Sequence, residues 1–162
     1  MTKPHEPDPN FDPKQHELVE HESFDEFEIG DTFRHPSRTM TSAIFGAFQL
    51  VSGDNHPIHY DREYCRERGH PEIMAHGYQT LAQLAPGAGL FPHVIGDALI
   101  GFLEQSCKFL KHVYLGDTLY PTLVVTDLKR QRTTGVITFR ATIHNQHREL
   151  VLEGEQKFLV RL

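Results

Sequence analysis

Asp54 and His59 lie five residues apart in the run Ser52-Gly53-Asp54-Asn55-His56-Pro57-Ile58-His59. A carboxylate and an imidazole aimed at one point can hold a water between them and trade its proton near neutral pH. Pro57 biases His56 towards extended backbone, so the segment cannot be helical throughout and reads as a stiff loop. Composition alone does not mark the pair: with 12 histidines in the chain, Asp54 could be a turn or cap residue and His59 a surface histidine. Two rigid helices flanking the loop would be needed to fix the two groups relative to each other.

The flanking sequence supplies such elements. Residues 43–51 place Ile44, Ala47, Phe48 and Val51 at helical spacing on one predicted buried face, with Thr41 or Ser42 as cap and Gly53 past the end. Asp61 is placed to cap a short helix through Arg68, closed by Gly69. A third helix is predicted from near Ala75, with Tyr78, Leu81, Ala82 and Ala85 on one side and an interruption at Pro86-Gly87. The C-terminal half changes period. Segments 99–110, 119–128, 136–145 and 150–161 have strand length and turn residues between them, and Ile137, Phe139, Ala141 and Ile143 alternate with polar neighbours. With an early strand over about 32–40, this predicts an α+β domain of about five antiparallel strands covering the third helix. The Gly-Asp-Thr turns at 30–32 and 116–118 are reused turn chemistry without a repeat of fixed period.

Composition sets bounds. A chain of 162 residues, 38% hydrophobic, suits one domain with a core that requires no staple. Residues 1–24 are rich in proline and acid and lack apolar periodicity, so they read as a disordered or loosely attached arm before a domain over 25–162. The absence of an apolar signal region predicts a cytoplasmic product, in which Cys65 and Cys107 stay reduced. A formal charge of −6 disfavours nucleic acid and anionic membranes as partners. No apolar run is long enough for a membrane-spanning helix.

The wider string, from Ser52 through Asp61 and on to Ile73-Met74-Ala75-His76-Gly77, resembles the hydratase motif of MaoC-like dehydratases and (R)-specific enoyl-CoA hydratases. The resemblance continues at Phe27 to Thr32, at Leu103-Glu104-Gln105-Ser106-Cys107-Lys108-Phe109-Leu110-Lys111 and at Gly116-Asp117-Thr118-Leu119. It implies a hot-dog fold, an antiparallel sheet wrapped around a central helix, and a hydro-lyase of fatty acid metabolism acting on an enoyl or 3-hydroxyacyl thioester. Asp54 and His59 match the catalytic pair. Gly77, at a helix start, would offer its backbone N–H to the enolate oxygen or serve tight helix–sheet packing, and His76 would contact substrate or be a helix-start histidine held by a backbone group. Lys108 and Lys111 could meet coenzyme A phosphates. The resemblance implies no cofactor beyond the thioester substrate, which is carried on coenzyme A or acyl carrier protein, and a homodimer whose sheets join side by side. One departure is His56, where the family has asparagine before the proline.

Three other chemistries compete. His56 and His59 with nearby acids invite a metal, but their spacing matches no recognised zinc pattern, and no metal is expected. Cys65 among Arg62, Arg66 and Arg68 could be an activated thiol, yet no histidine base accompanies it. An acyl-CoA thioesterase or a non-catalytic acyl-binding module could share the fold; the Asp54/His59 pair favours the hydro-lyase.

Overall fold

The computed structural model describes residues 8–162. Its sheet has six antiparallel strands among those residues: β1 (Thr32–Arg34), β2 (Arg38–Thr39), β3 (Leu99–Phe109), β4 (Thr118–Arg130), β5 (Thr134–Asn145) and β6 (Leu150–Arg161). The order is β1-β4-β5-β6-β3, with β2 also paired to β4. The early strand expected as one piece is thus two, because Pro36 lacks the N–H that a continuous ladder requires.

Four α-helices are described: α1 (Ser42–Ser52), α2 (Arg62–Glu67), α3 (Gly77–Leu81) and α4 (Phe91–Ile95). Thr41 caps α1, its hydroxyl accepting from Ile44 N–H, and Gly53 ends the helix at φ +67°. The face expected inward does not hold. Phe45 is the buried residue of α1, whereas Val51 is 86% and Leu50 87% exposed. This helix is apolar nearly all round, so periodicity cannot choose its inward side.

The central helix also departs from expectation. It starts at Gly77, lasts five residues, and continues as 3-10 turns at Ala82–Leu84 and Pro86–Ala88 before α4. Pro86 cannot donate to a helical ladder, so the chain breaks there. Gln156, buried on β6, repairs the break: its Nε2 donates to the Leu84 carbonyl at 2.8 Å and to Gln105 Oε1 at 2.8 Å. Gln79, Thr80 and Leu84 are the buried residues here, while Tyr78 points outward, 69% exposed.

The core gathers on Phe91 of α4, whose ring centroid lies 4.7 Å from Phe139 and 4.9 Å from Phe158. All three rings are essentially inaccessible; truncating one such ring to alanine costs about 3–5 kcal/mol. Part of the stretch read as a loose arm is attached to this body. Phe24 is buried over Gly135 and Glu22 N–H bonds Val94 O; residues 1–7 of that arm lie outside the described residues. None of the described residues forms a helix long and apolar enough to cross a membrane.

His35, between β1 and β2, is 6% exposed and pressed flat on Gly89. Neither ring nitrogen has a hydrogen-bond partner. Burial lowers its pKa, and the nearby Gln83 carbonyl opposes that shift without meeting hydrogen-bond geometry. The unfolded chain therefore takes up this proton first as pH falls, and the stability that neutral His35 contributes declines below about pH 6.5. Thermal melts at pH 7.5 and 5.5 should show a smaller acid-induced loss in His35→Phe than in the parent; equal losses would refute this account.

Candidate active site

Short-range hydrogen bonds build the acidic loop. After Gly53 turns the chain out of α1, Asp54 Oδ1 accepts from His56 N–H at 2.9 Å. Asn55 ties the loop back to α1 by accepting from Gln49 Nε2 at 2.6 Å. His56 Nδ1 accepts from Ile58 N–H at 3.3 Å, the bond to the residue two along that an asparagine side chain makes in an Asx turn. The imidazole thus takes over the amide's work at this departure from the family pattern. Pro57 starts a 3-10 turn, Pro57–His59, that delivers His59.

A second segment locks this loop in place. Met74 N–H donates to Ile58 O at 3.1 Å, and His59 Nδ1 bonds Met74 O at 2.8 Å. A carbonyl only accepts, so His59 carries its proton on Nδ1 and keeps a free lone pair on Nε2. On its other side the segment bridges to Tyr114, with Ala75 N–H to Val113 O at 2.7 Å and Leu115 N–H to Ile73 O at 2.9 Å. Two residues beyond Met74 comes His76, the cap of α3.

His76 is the helix-start histidine held by a backbone group, one of the two readings its position allowed. Its Nδ1 accepts from Tyr78 N–H at 3.0 Å, which places the ring proton on Nε2, and Nε2 lies 2.7 Å from Asp54 Oδ2. Both nitrogens are therefore committed within the protein, and a hydrogen bond from this ring to substrate has no atom left to make it. One ligating atom each of Asp54, His59 and His76 lies within 4.8 Å of the other two. Such a trio could hold a metal, but coordination through His76 Nε2 would displace the proton given to Asp54.

The backbone N–H of His56, then the Nε2–H of His76, hold the Asp54 carboxyl below its usual range against the opposing effect of burial. Asp54 is therefore an anion at neutral pH. Each of its oxygens accepts one bond and retains a further lone pair. Beside the bare Nε2 of His59, the site offers two acceptors to one water.

Gly77 follows immediately. A Cβ there would stand 3.2 Å from the Phe109 ring of β3, a close approach that glycine accommodates without the ring having to give. Lys111 is paired with Glu149. Lys108, next to Phe109 on a strand, projects to the opposite sheet face, among Ser106, Arg140 and Glu153. No hydrogen bond among the described residues joins either lysine to the Asp54 group. Cys65 is fully buried and donates to Ile58 O at 3.1 Å, while Arg62 and Arg66 pair with Glu72 and Glu63; the thiol fastens α2 to the loop.

Two contributors escaped the sequence reading. Met74 acts through its carbonyl, which no side-chain pattern reveals. Gln79, 2% exposed, accepts from His76 N–H at 3.2 Å through Oε1. The His76-x-x-Gln79 spacing is that of a capping box and would have found it.

The sheet wrapped over a segmented helix, with an Asp/His cluster at the helix start, defines the architecture as α+β. The hot-dog name attaches through structural likeness: a double-hot-dog protein of Mycobacterium tuberculosis matches with TM-score 0.72 and 23% identity over 87% of this chain and 44% of its own. The model of the MaoC like domain matches residues 25–146, and the chain belongs to that family. A mitochondrial 3-hydroxyacyl-[acyl-carrier-protein] dehydratase of Arabidopsis thaliana is 28% identical over 130 residues, 78% of this chain and 74% of its own. The (R)-specific enoyl-CoA hydratase of Aeromonas caviae is 28% identical over 132 residues, 79% of this chain and 91% of its own. A solved (R)-hydratase from A. caviae has TM-score 0.70, covering 82% of this chain and 96% of that one.

The Gly77 contact yields a test. Gly77→Ala forces the half-exposed Phe109 ring to give by a few tenths of an ångström, at a cost of about 1 kcal/mol or less, below the usual range for overpacking. Adding Phe109→Leu should recover that loss in denaturant titrations of the double variant. Purely additive losses would show that the contact does not set the residue.

Proposed function

We propose that the protein is a hydro-lyase that adds water across a 2-enoyl thioester, or removes it from the 3-hydroxyacyl thioester. The observation that carries this reading is the free Nε2 of His59, fixed by the Nδ1 bond to Met74 O, beside the anionic Asp54. A water bound by both is held by Asp54 and deprotonated by His59 as its oxygen bonds C3. The C2–C3 π electrons shift to form an enolate whose charge lies on the thioester oxygen. The Gly77 N–H, at the first position of α3, is the donor for that charge. The imidazolium then returns its proton to C2, so H and OH add with no cofactor or metal required. The relatives act on coenzyme A and acyl-carrier-protein substrates by name, and both carriers present the same thioester to this site.

Asp54→Asn and His59→Ala should each lower turnover by at least about 10²-fold with the fold intact by circular dichroism. Ultraviolet absorbance reads loss of the enoyl conjugation, and a thiol reagent reads thioester cleavage. Thiol release instead of lost conjugation would make the protein a thioesterase, and binding with neither would make it an acyl-binding module. A chelator should leave the rate unchanged.

We also propose that the active form is a homodimer. β3 is the last strand in the sheet order and exposes Ile100, Phe102, Leu103 and Phe109, each between 46% and 53%. An apolar edge with unpaired backbone groups is a template for a second copy, and Phe109 joins that edge to Gly77. Sedimentation should give twice the chain mass, and Leu103→Lys should shift the population towards monomer; a monomeric parent would reject the dimer alone.

A further inference from the structure

The hydratase pair needs an acid whose two oxygens stay in register with His59, and nothing covalent provides this. From the hydrogen bonds at its two ring nitrogens, we infer that His76 is a positioning residue for Asp54, acting as a rigid neutral donor rather than as a contact to substrate. This rests on the hydro-lyase reading above.

The ring has several contacts and remains one-fifth exposed. Tyr78 N–H reaches its Nδ1, and Gln79 Oε1 accepts its backbone N–H. Tyr78 stacks on it at 18° interplanar angle and 5.7 Å, while Phe48 of α1 lies 5.2 Å away. The imidazole of His59 is 4.9 Å off on a further side. A ring fixed at Nδ1 in this way presents Nε2–H towards Asp54 Oδ2. Because Nδ1 is engaged by a donor, the opposite tautomer would set two N–H groups against each other.

The consequence is a division of labour. His56 N–H fixes Oδ1 from within the loop, and His76 fixes Oδ2 from α3, so the carboxylate is clamped between two elements. Its rotation about χ2 is then removed before substrate arrives, which is the condition for holding a water at an attacking angle. The groups facing Asp54 that can titrate or carry charge are His59 and Tyr60 from the 3-10 turn and its end, and His76 from α3; of these, His76 makes the direct bond.

The test separates this role from substrate binding. His76→Phe keeps the ring stacking and removes the donor; His76→Gln restores an amide N–H at the same reach. In His76→Phe, kcat should fall about 10–100-fold with KM within about twofold, the loss typical when an outer partner that orients a reacting group is removed. His76→Gln should recover part of the lost kcat. A rise in KM with kcat unchanged would overturn the inference, as would a Gln variant no better than Phe.

Two measurements stand free of turnover. The ¹³C titration of the Asp54 carboxyl should move to higher pH in His76→Phe, and an unchanged midpoint would overturn the inference. In the parent protein, ¹⁵N shifts of the His76 ring should report the proton on Nε2; a proton on Nδ1 would overturn it even where the variants do not fold. If no enoyl thioester is hydrated while both nuclear measurements agree, the hydro-lyase reading fails and the His76–Asp54 clamp stands.

Discussion

The backbone of Met74 is the constraint on which the site depends. Its N–H and its carbonyl both face the acidic loop, bonding Ile58 O and His59 Nδ1. Its neighbours Ile73 and Ala75 bond Leu115 and Val113 on the other side. Three stretches far apart in sequence are thereby sewn into one plane, and the chain enters α3 from that plane. Each bond is worth about 1 kcal/mol net. Their larger effect is geometric, because the segment that orients His59 also leads directly into α3.

Much of this was legible in the sequence and some was not, for definite reasons. The four long strands follow from alternation at positions such as Ile137, Phe139, Ala141 and Ile143, where one sheet face is buried and the other polar. The loop from Asp54 to His59 follows from Gly53 and Pro57, residues with strong local preferences. The inward side of α1 did not follow, since its apolar residues circle the helix and only tertiary contact chose Phe45. The segmentation after Leu81 was legible only at Pro86. Phe91, the centre of the core, belongs to a five-residue helix too short to show a period.

The candidate site was legible as residue types but not as roles. Asp54 and His59 were visible by spacing, whereas the shortest bond of Asp54 to another side chain runs to His76, 22 positions along the sequence. That link depends on a tautomer fixed by Tyr78 N–H, and a tautomer leaves no trace in a string of letters. Gln79 and Gln156 illustrate a related economy. Each is buried, spends one amide atom on a helix end, and leaves its other polar atom without a protein partner. Polar side chains at broken helix ends do work that a continuous helix does with its own backbone, and the fold accepts unsatisfied atoms in return.

His56 carries a wider consequence. At its position the loop uses a lone pair held a fixed distance from the Ile58 N–H, and the rest of the side chain lies against Tyr64 at 5.8 Å between ring centroids. The position is thus written in acceptor geometry rather than in a letter of the alphabet. Any side chain that can bend an oxygen or unprotonated nitrogen back over the proline satisfies it, so a search keyed to asparagine there would pass over sequences whose loops are built the same way.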